Sequence, residues 1–407
     1  MYYLKNPAGR IVDFDTQEQF DEYARKGGFS QPSQQEISEF VSRRTQVAED
    51  MRIAQELAAK PSQGVHFATV SPGGTDGYGV ASTALIRQLK KIGIDVRTYY
   101  DGQKVSVLFH NPYSLMSMET PYRIIYTMFE SDKIPDDWIE YLKIADAVLV
   151  PSKWCQAVFA KAGIAADVVP LGYDDGVFEY APRHEKRPQH GTFNFLHYDA
   201  FNARKGFLEV FKAFTQEFNQ DEPVRLVLKT TVDNYYQRFP INMDIYKNIE
   251  IVHGKISPFE LQQLIHRCDC FVFPSRGEGF GVTPLECMAT GMPVIVPNAH
   301  GISEYFDDTC MYEVKVDGPS PALYSRYKGI DVGQMVTCSV SDLQKRMRWV
   351  YEHEREAIEK GKLAAEYAKH WTLSNTAVSI KRVIDKVLQS PPKMETVGGF
   401  LQLEQVT

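Results

Sequence analysis

Short apolar runs alternate with longer mixed segments along most of the 407-residue chain. His66-Phe67-Ala68-Thr69-Val70, Ile94–Thr98, Val105–Phe109, Arg123–Met128 and Ala147–Val150 read as one set of strands. Phe193–His197, Val224–Lys229, Ile249–His253, Cys270–Phe273 and Val294–Val296 read as a second set. Runs apolar on both faces, separated by helical patterns, predict parallel sheets covered by helices on each side. The expected fold class is therefore α/β, with two Rossmann-like doubly wound domains facing a cleft. Their expected spans are 64–182 and 190–372, joined by a polar linker from Ala181 to Gly191 that carries two prolines. The region 341–389 reads as helical, followed by a tail at 390–407. Residues 1–63 read as a helical extension. Asp13-Phe14-Asp15-Thr16 is expected to start a helix through Phe20 and Tyr23, and a polar helix is expected from about Gln34 to Ala59.

Composition narrows the class. Charged residues make up 24% and hydrophobic ones 43%, ordinary values for a globular chain. A net charge of −7 gives no sign of an overall polyanion-binding surface. No apolar run reaches eighteen residues, and no charged-then-apolar leader opens the chain. The six cysteines lack paired metal spacing, and Cys268, Cys270 and Cys287 fall in segments read as buried. A reducing cytoplasm is the expected compartment.

The chemistry concentrates in FVFPSRGEGFGVTPLECMATGMPVIVPNAHGI, residues 271–302. An apolar strand ends at Pro274-Ser275, and Gly277, Gly279 and Gly281 alternate through a turn. A helix then starts near Thr283-Pro284 and stops at Gly291, before the strand Val294-Ile295-Val296. Such a βαβ unit aims free backbone N–H groups and a helix dipole at an anion. Glu278 sits in the turn and Glu286 in the helix, seven residues intervening. Carboxylates suit sugar and ribose hydroxyls, whereas a diphosphate wants N–H groups and cations.

The full string resembles the signature of retaining, nucleotide-sugar-dependent glycosyltransferases, in particular glycosyltransferase family 4 with its two-domain GT-B fold. The resemblance spans about residues 65–389, and it implies a break at Trp371 after which a last helix, 373–389, crosses back to the first domain. It implies that Glu278 contacts the donor sugar and Glu286 the ribose, with Gly279, Phe280, Gly281, Val282 and Thr283 forming the donor-binding turn. It places diphosphate cations after the first strand of the second domain, where Lys205-Gly206 matches the family's Lys-Gly pair. The family's upstream Arg position falls near Asp199 or Ala200, so either Arg204 or Lys229 is expected to supply the second charge. His110, after the strand Val105–Phe109, matches a family His close to the transferred carbon. Gly254, Lys255 and Ile256 are expected to meet the nucleobase. On the acceptor side, the glycine loop with Gly74, Gly77, Tyr78 and Gly79 and the post-strand Glu130 and Asp132 face the cleft.

No metal site or cofactor beyond the nucleoside diphosphate sugar donor is implied. Asp13-Phe14-Asp15 fits a metal-holding Asp-x-Asp pattern but lies far from the nucleotide-binding unit and reads as a helix cap. Asp174-Asp175 and Asp307-Asp308 read as turn residues. The implied function is retaining transfer of a hexosyl or pentosyl group to an acceptor hydroxyl, with a glycan or glycoconjugate favoured. A hydroxylated DNA base, as in bacteriophage DNA glycosyltransferases, and a catalytically silent nucleotide-sugar-binding protein are the alternatives. Oligomeric state is left open.

Overall fold

The computed structural model describes residues 2–5, 11–14, 17–25, 30–37, 64–69, 77–184, 191–199, 201–231, 245–322, 324–393, 396–397 and 400–401. The chain divides into two compact units, Met1–Lys60 and Pro61–Thr407. In the first unit, β1 (Tyr2–Lys5) pairs antiparallel with β2 (Ile11–Phe14), and α1 runs Gln17–Arg25. Asp13 and Phe14 therefore belong to a strand, opposite Tyr3 and Tyr2, and do not cap a helix. Alternation over only four residues is too short a signal to separate such a strand from a helix start. Asp15 and most of the predicted 34–59 helix lie outside the described residues; residues 34–37 are helical.

The second unit holds two parallel six-stranded sheets. The first comprises β3 (Val65–Ala68), β4 (Val96–Arg97), β5 (Val105–Phe109), β6 (Tyr122–Tyr126), β7 (Ala147–Val150) and β8 (Asp167–Val168), in the order β4-β3-β5-β6-β7-β8. Its first crossover helix, α2, spans Gly77–Lys91. Helices α3 (Trp138–Lys143) and α4 (Lys153–Lys161) follow β6 and β7. The second sheet comprises β9 (Phe193–Tyr198), β10 (Val224–Thr230), β11 (Ile249–His253), β12 (Cys270–Val272), β13 (Val294–Val296) and β14 (Tyr312–Glu313), ordered β11-β10-β9-β12-β13-β14. Its helices include α5 (Phe207–Glu217), α6 (Pro258–Arg267) and α7 (Val282–Ala289). Every residue of β5 and of β9 is buried, the behaviour expected of strands covered on both faces. All six cysteines are buried free thiols.

After β14 the chain makes an unpredicted antiparallel hairpin, β15 (Val316–Pro321) and β16 (Gln334–Cys338). Helices α8 (Val340–Glu352), α9 (Glu354–Ala368) and α10 (Leu373–Val387) follow. Helix α10 packs on α2 of the first sheet's layer, and Thr376 Oγ1 donates to the Pro170 carbonyl at 2.9 Å. Among the described residues no helix is long and apolar enough to cross a membrane.

Candidate active site

The carboxyl ends of parallel strands open toward the crevice where α/β ligands bind. At the end of β9 the chain turns through a short 3-10 segment, Ala203–Lys205. Asn202 fixes that turn, because its side-chain oxygen accepts from the Lys205 backbone N–H at 3.0 Å. The Arg276 N–H donates to the Arg204 carbonyl at 2.7 Å, tying this basic turn to the glycine turn that follows β12.

Glu278 stands where the two turns meet. It accepts from Lys205 Nζ at 2.7 Å and from Ser275 Oγ at 2.6 Å, with Arg204 at 3.1 Å. Only 7% of Glu278 is exposed, so burial by itself would raise its carboxyl. The Lys205 ammonium and the Arg204 guanidinium outweigh that and hold it well below the usual carboxylate range. Each cation has a second acidic partner. Lys205 meets Asp199 at 2.8 Å, and Arg204 meets Glu130, at the end of β6 in the first domain, at 3.5 Å. Arg204 also donates to the Gly277 carbonyl at 2.8 Å. Two cations thus face three carboxylates in a partly buried cluster, a set that is costly to break by removing one member.

The glycine turn owes two of its glycines to packing between the domains. A Cβ at Gly277 would collide with the Glu130 carbonyl, and one at Gly279 with the Met128 side chain. The Gly279 carbonyl accepts from Ser152 Oγ at 2.8 Å, so first-domain residues press directly on the turn bearing Glu278. Gly281, at φ 86°, opens α7 in a left-handed conformation that favours glycine. Val282 and Thr283 begin α7, whose first N–H groups form an anion-accepting end. The Phe280 side chain is turned away into the core, 5.3 Å from the Tyr305 ring and 5.9 Å from Trp371. Only its backbone is available to a ligand.

Glu286, one turn into α7, accepts from the Tyr198 hydroxyl at 2.6 Å. Burial pushes its carboxyl up to about 7, against the lowering effect of that hydrogen bond. A raised acid contributes stability below its ordinary value of 4.5 and loses it as pH rises through about 7. A ribose hydroxyl donates best to the ionised form. On the ribose contact that the motif implies for Glu286, nucleoside diphosphate binding is expected to be about tenfold tighter at pH 8 than at pH 6, following the ionised fraction of a group that titrates at about 7. Titration calorimetry at both pH values checks this, and the difference should vanish in Glu286→Gln; equal affinities in the unaltered protein would contradict it.

Of the two candidates for second cation, Arg204 stands beside Lys205 and Lys229 does not. The Lys229 ammonium, 5% exposed, donates to the carbonyls of Gly254 at 2.6 Å and Thr230 at 3.1 Å. It therefore braces the loop that carries Lys255 and Ile256. Lys255 is exposed, while Ile256 packs on the core.

On the first-domain side, His110 follows β5 and its ring lies 5.0 Å from that of Tyr78 in the first turn of α2. Tyr78 adjoins the end of β6, where burial and the Glu130 charge push its hydroxyl above the ordinary value. Gly77 and Gly79 lie in the same helical turn, and Gly74 falls outside the described residues. Asp132 is taken up by the hairpin: its carboxylate accepts from the Gln334 N–H at 2.6 Å, and its own N–H donates to the Gln334 carbonyl. Asp174 and Asp307 accept from backbone N–H groups two residues on, a turn role. Among the described residues, no group of three or more His, Cys, Asp or Glu is placed to hold a metal ion.

Several partners escape sequence reasoning. Tyr198 and Ser275 lie at or just past strand ends, a position that would have flagged them. Tyr324, whose hydroxyl donates to Glu130 at 2.9 Å, arrives on the hairpin and carries no local signal.

Residues 182–312 match the family of glycosyl transferases group 1. The proposed glycosyltransferase ORF313 of Acidianus filamentous virus 1 is 26% identical over 240 residues, covering 57% of this chain and 70% of the viral one. An alpha-1,3/1,6-mannosyltransferase of Mus musculus is 26% identical over 196 residues, covering 42% and 46%. Among solved structures, sucrose-phosphate synthase from Thermosynechococcus elongatus superposes with a TM-score of 0.64 at 14% identity, over 80% of this chain and 99% of that one. HepE from Anabaena in complex with UDP-glucose gives 0.57 at 12% identity, over 79% and 99%. Two parallel six-stranded sheets and these likenesses make the chain a glycosyltransferase of GT-B fold.

Proposed function

We propose that this glycosyltransferase moves a sugar from a nucleoside diphosphate sugar to a hydroxyl of a glycan or glycoconjugate, with retention of anomeric configuration. The observation that carries the reading is the placement of Lys205 and Arg204 around Glu278, beside the N-terminal end of α7. Glu286 lies within the same helix, held by Tyr198. A diphosphate set against the first turn of α7 meets free N–H groups and has both cations within reach. In that position Glu278 faces the sugar and Glu286 the ribose.

In the proposed step, the bond from the anomeric carbon to the phosphate oxygen breaks and its electron pair stays on the diphosphate. The acceptor oxygen attacks the same face, and its proton passes to the departing phosphate. The sugar is oxocarbenium-like between the two events. Charge therefore grows on the leaving group, where Lys205 and Arg204 stabilise it without a metal ion. HepE was solved with UDP-glucose, which supports a nucleotide-sugar donor for a fold of this kind.

A panel of nucleoside diphosphate sugars, followed by nucleoside diphosphate release, tests the reading. Release should be fastest with one donor and should accelerate when glycan acceptors are added. Acceleration by hydroxymethylated DNA in place of glycans would overturn the acceptor assignment. No release with any donor would leave only a nucleotide-sugar-binding protein.

A further inference from the structure

The hairpin β15–β16 springs from the donor-side sheet, yet its far end is fastened to the first domain. Ser131 Oγ donates to the Val332 carbonyl, and Asp132 and Gln334 are paired through the contacts given above. Lys133 Nζ lies 3.3 Å from Asp331. The Tyr324 ring packs 5.1 Å from Phe129, which sets its hydroxyl on Glu130 Oε2 at 2.9 Å. The other oxygen of that carboxylate is the one 3.5 Å from Arg204. A single carboxylate is thus held from one side by the hairpin and faces the diphosphate cation on the other.

We propose that Tyr324 is a positioning residue for donor binding: its hydroxyl restrains Glu130 so that Arg204 can exchange that carboxylate for the donor's diphosphate. This rests on the nucleotide-sugar reading. The physical reason is competition. Arg204 offers a planar fork that binds a carboxylate or a phosphate equally well. At 3.5 Å its contact with Glu130 is loose, and the hydrogen bond from Tyr324 keeps it so. Without that hydroxyl, Glu130 is free to engage the guanidinium in a close two-point pair. The diphosphate then has to displace a full ion pair and enters against an unrestrained negative charge.

Titration calorimetry of the full chain with UDP and with GDP tests this. In Tyr324→Phe the ring and its packing on Phe129 remain, and the Kd of whichever nucleotide binds should rise roughly tenfold, the size of one hydrogen bond to a charged group. The donor KM should rise in parallel, with kcat within about twofold of the unaltered enzyme, the pattern of lost ground-state binding. In a Glu130→Gln background the same substitution should change Kd by less than about twofold, because no competing charge remains. Glu130→Gln alone should tighten nucleotide binding, which keeps the test open even if Tyr324→Phe misfolds. An unchanged Kd in Tyr324→Phe, an equal loss in both backgrounds, or weaker binding in Glu130→Gln would each overturn the inference. If the unaltered protein bound neither UDP nor GDP, nor ADP or dTDP in their place, the nucleotide-sugar reading would fall first and take the inference with it.

Discussion

Lys205→Ala is expected to lower the transfer rate by a factor of about 10² to 10³, the usual cost of removing one preorganised contact to developing charge. Two effects add. The first is loss of the ammonium proposed to meet the leaving diphosphate. The second is local, because Lys205 lies 2.7 Å from Glu278 and 2.8 Å from Asp199. Its removal takes the nearest cation from two largely buried carboxylates, and Arg204, which lies 3.1 Å from Glu278, already faces Glu130. Both carboxylates then disfavour an incoming diphosphate, so donor KM should rise along with the fall in kcat. Lys205→Arg, which keeps the charge but changes its shape, should recover part of the rate. Steady-state nucleoside diphosphate release measures both variants; a Lys205→Ala enzyme as fast as the unaltered one would remove this residue from the reaction.

Glu278→Gln is expected to reduce kcat by at least about tenfold with a smaller change in donor KM. The substitution keeps the volume of the side chain and a hydrogen-bond acceptor for Ser275, but removes the charge that Lys205 and Arg204 share. A carboxylate facing the sugar hydroxyls tightens its hold as positive charge develops at the anomeric carbon, and an amide does not. The two freed cations remain beside the diphosphate, which protects ground-state binding. The comparison of kcat with KM therefore separates the roles of the two residues. Equal losses in kcat/KM arising wholly from KM would place Glu278 among the binding groups alone.

Much of this arrangement was legible before the structure, for physical reasons that differ from part to part. Buried parallel strands declare themselves by their apolar majority; β5 and β9 could be read directly, although Ser106, Asn194 and His197 are buried within them. The turn carrying Glu278 was legible from its glycines, yet the reason for them was not. Close approach to a phosphate and close approach to Glu130 and Met128 ask for the same residue type, and only packing tells them apart. The choice between Arg204 and Lys229 was undecidable for a similar reason. Arg204 follows β9 and Lys229 is the last residue but one of β10, so both sit near strand ends that face the crevice, and the direction of each long side chain is set by neighbours remote in sequence. Phe280 shows the converse, since its place in the motif suggested the ligand while its ring is sealed in the core. The hairpin β15–β16 was invisible. Val316–Pro321 reads Val-Asp-Gly-Pro-Ser-Pro, poor in strand formers, and it is held by pairing and by contacts to residues 131–133 rather than by local preference.

Charge stabilisation by Lys205 and Arg204, with attack on the face the leaving group vacates, is the centre of the account. It is tested most directly by running the preferred donor and its acceptor in the presence of a chelator and reading the product's anomeric coupling by NMR. The account predicts undiminished transfer and a coupling that matches the donor's configuration. An absolute requirement for a divalent metal, or a product of inverted configuration, would contradict it.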